Sequence, residues 1–234
     1  MINILDLFTN TQIKLIDKKR EAGDKYVFYF KPISPIDWKA GQDGIFTFRG
    51  KKIEGKSLRI FTVASSPDEK NIIISTIIVD KPSDFKDKMR AMEIGDSMFL
   101  RGPFGIFVLP NYNKKVALIA GGIGITPMRA ILKDLEDKDI PMDVTLFYVD
   151  SKKDFVFKEV LEASSSKNSK IKVRFFEDRD SFTEELSKYV EQNKNDSLYF
   201  ISGTPKMVKG IRMDLKNKEI LNQNIVSHRL LGYK

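Results

Sequence analysis

Cysteine is absent from the 234 residues, and His228 is the only histidine. The absence of cysteine excludes disulfides, thiolate-bound iron–sulfur clusters, cysteine-rich zinc sites and thiol nucleophiles. A single histidine without a Gly-x-Ser-x-Gly turn also argues against a serine hydrolase. Any redox chemistry in this chain therefore has to be supplied by an organic cofactor.

Long apolar runs are absent as well. The most apolar stretch, 116–128, contains several glycines and is too short to span a bilayer, and the first ten residues lack the basic and apolar segments of a signal peptide. A basic stripe interleaved with aromatic residues, as in nucleic-acid-binding proteins, is also missing. These features predict a soluble, cytoplasmic protein that binds neither membranes nor nucleic acid.

The net charge of +8 comes from 40 basic and 32 acidic residues, without a basic arm or tail. A mildly basic surface favours anionic ligands or acidic partners. A general bias towards lysine would produce the same charge, so both interpretations stay open.

Two patterns of secondary structure follow one another along the chain. Up to about residue 110, short runs rich in β-branched and aromatic residues alternate with turn-forming clusters, and a single helix is predicted over Ser83–Met92, which indicates a β-barrel or sandwich. After Pro110, strands alternate with helices, which indicates a doubly wound parallel sheet. The predicted domains are 1–110 and 111–234.

A glycine-rich turn opens the second domain. The buried-strand run Val116–Ala120 leads directly into Gly121, Gly122, Gly124, Thr126 and Pro127. Glycines let the backbone approach a pyrophosphate, and the following helix offers it free N–H groups. We expect Thr126 as the N-cap and Pro127 at the first helical position. A turn that only packs helix against strand is the alternative.

Four sequence blocks in order resemble the ferredoxin–NADP reductase superfamily. The glycine turn resembles its pyrophosphate turn, and Arg59–Pro67 resembles its flavin motif R-x-[YF]-[ST]-x-x-S. The segment 102–107 resembles its G-P-F-G-x-F block, and 202–207 resembles its C-G-P-x-x-M block. The resemblance implies a six-stranded antiparallel Greek-key barrel that binds flavin, followed by a five-stranded parallel nicotinamide domain.

The resemblance also assigns flavin contacts, with FAD more consistent with the family than FMN. Arg59 would pair with the flavin diphosphate through its planar fork. Phe61 would flank the isoalloxazine ring, and Thr62 would offer its hydroxyl to flavin N5. Taken without the rest of the motif, Arg59 is better interpreted as a surface cation and Phe61 as core filling. The remaining flavin residues are Ser65 of the same motif, Ser83 as the N-cap of the barrel helix, and Tyr233 near the C-terminus.

On the nicotinamide side, Ser202 occupies the place of the family's cysteine beside nicotinamide C4, and Thr62 and Ser202 are the predicted catalytic pair. Gly203, Thr204 and Met207 complete this block, with Thr204 in place of a family proline. His228 is interpreted as structural.

The choice between NADH and NADPH stays open. Asp150, after the strand 144–149, would accept hydrogen bonds from a ribose 2′-hydroxyl and repel a 2′-phosphate. Ser151, Lys152, Lys153 and Arg179 would attract that phosphate.

The predicted function is hydride transfer from NAD(P)H to flavin N5, with electrons passed on to a separate acceptor. The chain itself supplies orientation and electrostatics. Candidate acceptors are an acidic electron-transfer protein such as ferredoxin or flavodoxin, or a small molecule. A non-catalytic redox sensor or regulatory subunit is the first alternative, and a nucleotide-binding protein without flavin is the second.

Overall fold

The computed structural model describes residues 10–110 and 114–229, which form two compact units divided between Val108 and Leu109. The division predicted from the sequence, after residue 110, lies two residues further along the chain. In the described part of the chain, no helix is both long and apolar enough to cross a membrane.

The described part of the first unit contains one antiparallel sheet of six strands in the order β4-β3-β6-β1-β2-β5. This arrangement confirms the predicted barrel architecture, and the single predicted helix lies between β5 and β6. The elements are β1 (Asn10–Ala22), β2 (Lys25–Pro32), β3 (Asp43–Thr47), β4 (Leu58–Thr62), β5 (Ile72–Ile77), α1 (Asp84–Ala91) and β6 (Ser97–Phe104).

Along the strands of this unit, side chains that point into the core alternate with side chains on the outer surface. In β4, Phe61 is buried whereas Ile60 is 45% exposed, because successive side chains of a strand point to opposite faces. Helix α1 buries Phe85 and Met89, four residues apart on one face, against the same core. Lys18 Nζ donates to the carbonyl oxygen of Arg90 (2.7 Å) and so satisfies a group at the end of α1.

The second unit has a parallel sheet of five described strands in the order β11-β10-β7-β8-β9, with helices in the connections. It confirms the predicted α/β class. The sequences of its central strands, β7 and β10, are mostly continuous apolar runs because both faces of these strands are buried. The elements are β7 (Lys115–Gly121), α2 (Ile125–Asp137), β8 (Val144–Val149), α3 (Lys158–Lys167), β9 (Ile171–Phe176), α4 (Arg179–Asn193), β10 (Ser197–Gly203), α5 (Pro205–Asn217) and β11 (Ile225–Arg229).

The strand order defines where a ligand would bind in this unit. From β7 the chain proceeds to β8 and β9 on one side, whereas β10 and β11 lie on the other side of β7. The topological switch point is therefore between β7 and β10. In open α/β sheets, ligands bind in the crevice at the carboxyl ends of the strands next to such a point.

Candidate functional site

Arg59 of the predicted flavin motif lies on β4 and is held by its own loop and by the start of α1. Its guanidinium donates to the carbonyl oxygens of Lys56 (2.7 Å) and Leu58 (2.8 Å), and to Ser83 Oγ (2.9 Å). It also lies over the ring of Phe85, 5.1 Å from the centroid. Burial lowers the pKa of Arg59. The structure thus brings Arg59 and Ser83 together, as a shared phosphate site requires.

Ser83 occupies the N-cap position of α1, as expected, with an extended backbone (φ −66°, ψ 152°). Its hydroxyl does not cap the helix but accepts the hydrogen bond from Arg59. The neighbouring carboxylate of Asp84 accepts from the backbone N–H of Glu54 (2.7 Å) and pairs with Lys88. These hydrogen bonds lower the pKa of Asp84, and they direct its charge towards Glu54 and Lys88.

Lys86, in the first turn of α1, is a candidate site residue that the sequence analysis missed. It is half-buried, and its Nζ donates to the carbonyl oxygen of Ile77 (2.8 Å). Burial, together with the nearby charge of Arg59, lowers the pKa of Lys86 to about 8. Arg59 and Lys86 thus place two positive charges beside the N-terminus of α1, where a bound anion would be stabilised. These residues therefore fit a flavin phosphate. The signal in the sequence was a lysine three positions after the predicted N-cap.

Other residues of the predicted flavin motif are engaged within the fold. The ring of Phe61 is buried in the core, 5.5 Å from that of Phe46, so the structure favours core filling over a free ring face. Thr62 is buried, and its hydroxyl donates to Asp43 (2.8 Å), a bond that competes with donation to flavin N5. Ser65 is fully buried, its Oγ donating to the carbonyl of Asn71 (2.6 Å) and accepting from the N–H of Ile73 (3.2 Å).

Ser65 is therefore a structural residue that fixes the connection from β4 to β5, because both hydrogen bonds of its hydroxyl stay within the chain. Its assignment to flavin binding stays a prediction. Tyr233, the last predicted flavin residue, lies outside the described residues.

In the second unit, the glycine turn lies at the carboxyl end of β7, as predicted. Gly122 has a positive φ of 54°, which a glycine adopts without strain. A Cβ on Gly121 would lie 2.1 Å from Met207 Sδ, and one on Gly124 would lie 2.3 Å from the carbonyl oxygen of Ser202. Gly124 therefore allows the helix start to pack against β10, whereas Gly121 allows Met207 to approach the turn.

The predicted start of the next helix is wrong by two residues. A short 3₁₀ turn over Gly122–Gly124 runs into α2, whose N-cap is Gly124. Thr126 and Pro127 are consequently buried inside the first turn, and the hydroxyl of Thr126 donates to the carbonyl of Ile123 (3.2 Å). The 3₁₀ turn continues directly into the helix, so the capping position moves back to the last glycine.

A cavity of about 610 Å³ opens beside this turn in the second unit. It contains five of the nine predicted nucleotide contacts, and α4 and α5 supply the rest of its wall. Gly124, Thr126, Pro127 and Gly203 are not among the lining residues. The lining residues are Gly121, Gly122, Val149, Asp150, Ser151, Arg179, Phe182, Thr183, Leu186, Thr204, Lys206, Met207, Gly210, Ile211 and Asp214.

Opposite charges meet in this cavity. Asp150 is 8% exposed, and its Oδ1 accepts from the backbone N–H of Lys152 (2.9 Å). Arg179, at the first position of α4, is exposed and forms no ion pair within the described residues. Lys153, by contrast, pairs with Glu177 and does not line the cavity. Asp150, which is expected to favour NADH, and Arg179, which is expected to favour NADPH, therefore line the same cavity.

The N-terminus of α5 forms another part of the cavity wall. Thr204 is its N-cap, with an extended backbone, and the Thr204 hydroxyl accepts from the N–H of Met207 (3.4 Å). Pro205 follows at the first helical position. The helix start with threonine as N-cap and proline at the first position, which was predicted for α2, is therefore found at α5.

Ser202, which is predicted to lie beside nicotinamide C4, is enclosed within the sheet of the second unit. It is fully buried in β10, and its Oγ lies 3.4 Å from Nδ1 of His228, its register partner in β11. It does not line the cavity of the second unit. The contact with His228 could not be read from the sequence, because it depends on pairing between strands 26 residues apart.

Comparison with known proteins agrees with this architecture. Residues 118–213 match the model of the oxidoreductase NAD-binding domain. NADH-cytochrome b5 reductase 1 of Mortierella alpina is 33% identical over 130 residues, 53% of this chain and 43% of that protein. NADH-cytochrome b5 reductase 3 of Mus musculus is 29% identical over 188 residues, 67% of this chain and 62% of that protein. The chain thus spans about half the length of the curated relatives it matches.

Among solved structures, ferredoxin-NADP+ reductase from Plasmodium falciparum with 2′P-AMP superposes with a TM-score of 0.81. It is 18% identical, and the match covers 96% of this chain and 97% of that one. At this identity the match shows the fold. The antiparallel six-stranded unit followed by a parallel α/β unit is therefore the fold that this chain shares with that reductase. The chain is similar to members of the ferredoxin–NADP reductase superfamily.

Proposed function

We propose that this chain is an NAD(P)H-dependent flavoprotein reductase that passes electrons to a separate acceptor. The observation that carries the proposal is the cavity at the switch point of the second unit, within the segment that matches an oxidoreductase NAD-binding domain. Such cavities, apolar with a few convergent polar groups, are typical of cofactor sites.

In the first unit, Arg59 and Lys86 hold the flavin phosphates at the N-terminus of α1. Both side chains reach this end of the helix, one through Ser83 and the other from the first turn. FAD held by these residues would supply the redox chemistry, which is acceptance of a hydride from reduced nicotinamide and release of electrons singly or in pairs. Thr62 is the proposed contact to its reactive edge.

In the second unit, the turn at Gly121 and Gly122 approaches the dinucleotide phosphates, and the N-terminus of α5 offers further N–H groups. NADH is the proposed donor, because the Asp150 carboxylate, buried in the cavity wall, accepts hydrogen bonds from a ribose 2′-hydroxyl and repels a 2′-phosphate. Arg179 lines the same cavity and favours NADPH, so the ratio of kcat/KM for the two donors tests this assignment.

The proposed acceptor is an acidic electron-transfer protein such as a ferredoxin or a flavodoxin. The net charge of +8 supports an acidic partner, because complementary charge accelerates the encounter of two proteins. The curated relatives carry a protein acceptor, cytochrome b5, in their names.

The experiment is an absorbance spectrum of the purified full chain, before and after incubation with FAD, followed by anaerobic titration with NADH and NADPH. Flavin absorbance that is bleached by either donor supports the reductase. Protein that stays colourless after reconstitution contradicts it.

A flavin-binding redox sensor is the second candidate, and the buried position of Ser202 favours it. Ser202 stands where the family has a thiol, and its hydroxyl faces His228 inside the sheet. Yellow protein that is inert to both donors would be the result expected for this candidate.

A further inference from the structure

The thioether of Met207 fills the gap between the carboxyl ends of β7 and β10. Gly121 is the last residue of β7, and Gly203 is the last residue of β10. A Cβ on Gly121 would overlap with Met207 Sδ, and one on Gly203 would lie 2.9 Å from the same sulfur. The sulfur therefore occupies the space of a side chain on either glycine. This place is the topological switch point, beside the turn that is proposed to approach the dinucleotide phosphates.

The start of α5 holds Met207 in this place. Met207 is the third residue of α5, and its N–H donates to the hydroxyl of Thr204, the N-cap (3.4 Å). Its side chain is half-buried and packs against the apolar core of the second unit. Met207 also lines the cavity of this unit. One side of the thioether is thus enclosed by the ends of the two strands, whereas the other side faces the cavity.

Among the described methionines, Met207 combines access from the cavity with contact to the glycine turn. Met213, later in α5, is 59% exposed and is not among the residues that line the cavity. Oxidants reach exposed thioethers more readily than enclosed ones. We therefore expect Met207 and Met213 to react with an oxidant, and only Met207 to affect the cavity. The methionines that are no more than 2% exposed are Met89, Met92, Met98, Met128 and Met142.

Oxidation by hydrogen peroxide would convert the Met207 thioether into a sulfoxide. A lone pair of the sulfur attacks one peroxide oxygen, so that an S–O bond forms and the O–O bond breaks. The other oxygen leaves as water, together with the proton of the transferred oxygen. The sulfur loses the two electrons that the peroxide gains. The apolar thioether thereby becomes a polar group whose oxygen is a hydrogen-bond acceptor with partial negative charge.

The sulfoxide oxygen has room on the cavity side of Met207 only. A further atom on the opposite side would overlap with the backbone of Gly121 or Gly203, whose Cβ positions the sulfur already fills. The oxygen therefore points into the cavity, or the sulfur moves away from the glycines. In either case polar bulk enters the space beside the turn, in a cavity that already contains the carboxylate of Asp150. Steric overlap and like charge would then both oppose a dinucleotide phosphate.

We propose that Met207 is an oxidation site, and that its sulfoxide lowers the affinity of the second unit for its nicotinamide dinucleotide. This inference rests on the proposed function, since it assigns a regulation to the proposed donor site. Methionine sulfoxide is returned to methionine by two reductases, one for each epimer at sulfur. The modification of Met207 is therefore reversible, and donor binding returns when the sulfoxide is reduced.

The test treats the full-length flavin-loaded protein with hydrogen peroxide, removes the peroxide with catalase, and locates the sulfoxides by peptide mass spectrometry. Binding of NAD+ and NADP+ is measured by calorimetry, and kcat and KM for NADH are measured with ferricyanide as the acceptor. Oxidation of Met207 is expected to raise the Kd for the bound dinucleotide and the KM for NADH about tenfold, with kcat nearly unchanged. Treatment with the two sulfoxide reductases should restore both values.

The variant Met207→Leu keeps the size and apolar character of the side chain, so it should bind the dinucleotide within about threefold of the wild type and resist peroxide. Met213→Leu is the matched control, because it removes the exposed methionine of the same helix and should lose affinity on oxidation as the wild type does.

Three results overturn the inference: Met207 stays reduced while Met213 is oxidised, the sulfoxide of Met207 leaves Kd and KM unchanged, or oxidised Met207→Leu loses as much affinity as the wild type. If Met207→Leu already binds poorly before oxidation, the reductase treatment of the wild type decides, and affinity that does not return contradicts the inference. Untreated wild type that binds neither dinucleotide contradicts the proposed function together with the inference, which separates the two failures.

Discussion

Replacing Lys86 by methionine should stabilise the flavin-free protein and weaken its affinity for flavin. The pKa of Lys86 falls from 10.5 to about 8 because of burial and the nearby charge of Arg59. At about 1.36 kcal/mol per pKa unit, this lowering corresponds to a cost of about 3 kcal/mol for keeping the ammonium charged in the fold.

Two effects reduce that figure in the variant. Solvent screening at a half-buried site lowers the cost to about 2 kcal/mol. The carbonyl of Ile77 also loses its hydrogen bond from Lys86, which costs about 1 kcal/mol. We therefore expect Lys86→Met to raise the free energy of unfolding of the flavin-free protein by about 1 kcal/mol at pH 7. Affinity for flavin should fall about 10- to 100-fold, because a charge-assisted hydrogen bond of about 1.5–3 kcal/mol to phosphate is lost.

The dependence on pH gives the prediction its sign. The folded-state pKa of Lys86 is depressed, so its destabilising contribution is fully present below about pH 8 and disappears as the pH rises towards 10.5. The stability advantage of Lys86→Met should disappear over the same range. Urea unfolding at pH 7 and pH 10, with flavin titrations by fluorescence quenching at pH 7, measures both quantities.

Lys88→Met is the control, because Lys88 lies on the same helix but pairs with Asp84. It should be neutral or slightly destabilising, with unchanged affinity for flavin. If Lys86→Met is less stable than the wild type at pH 7 and binds flavin equally well, the assignment of Lys86 to a phosphate site is refuted.

Three further predictions concern the second unit. Gly124→Ala would place a Cβ 2.3 Å from the carbonyl oxygen of Ser202 and should lower the free energy of unfolding, measured with urea, by about 1–3 kcal/mol. A Cβ at Gly210 would have nothing within 4 Å, so Gly210→Ala should raise the free energy of unfolding by up to about 1 kcal/mol. Equal effects of the two changes would contradict the packing argument. Thr204→Ala removes the N-cap of α5 and should cost about 1 kcal/mol, which Thr204→Ser should restore. Asp150→Ser should shift the kcat/KM ratio towards NADPH at least several-fold; an unchanged ratio would remove Asp150 from donor selection.

Most elements of the fold could be predicted because local patterns and packing agree. The strands at 144–149 and 171–176 were predicted with the bounds that the structure has. The strand β11 (Ile225–Arg229) was missed by pattern alone, since it is short and has polar residues at Ser227 and His228. Its position at the sheet edge beside β10 tolerates them, and only the family resemblance implied a fifth strand.

The site was harder to predict than the fold, because a motif gives residue types but not the partners of each side chain. Ser65 belongs to the flavin motif by sequence, yet two backbone groups occupy its hydroxyl. Lys86 belongs to no motif, and it becomes a candidate only through its burial and its proximity to Arg59, which lower its pKa and can be read only from the fold.

The Thr-Pro pair shows why a correct local rule can be applied to the wrong element. Thr126-Pro127 and Thr204-Pro205 are the same dipeptide, each shortly after a strand that ends at a glycine, and both suit a helix start. At 204–205 the chain leaves β10 extended, so the Thr204 side chain can cap α5. At 122–124 the chain already coils as a 3₁₀ turn, because Gly124 has to pass within contact of the Ser202 carbonyl. A tertiary contact between β10 and the turn therefore decides which threonine becomes the cap.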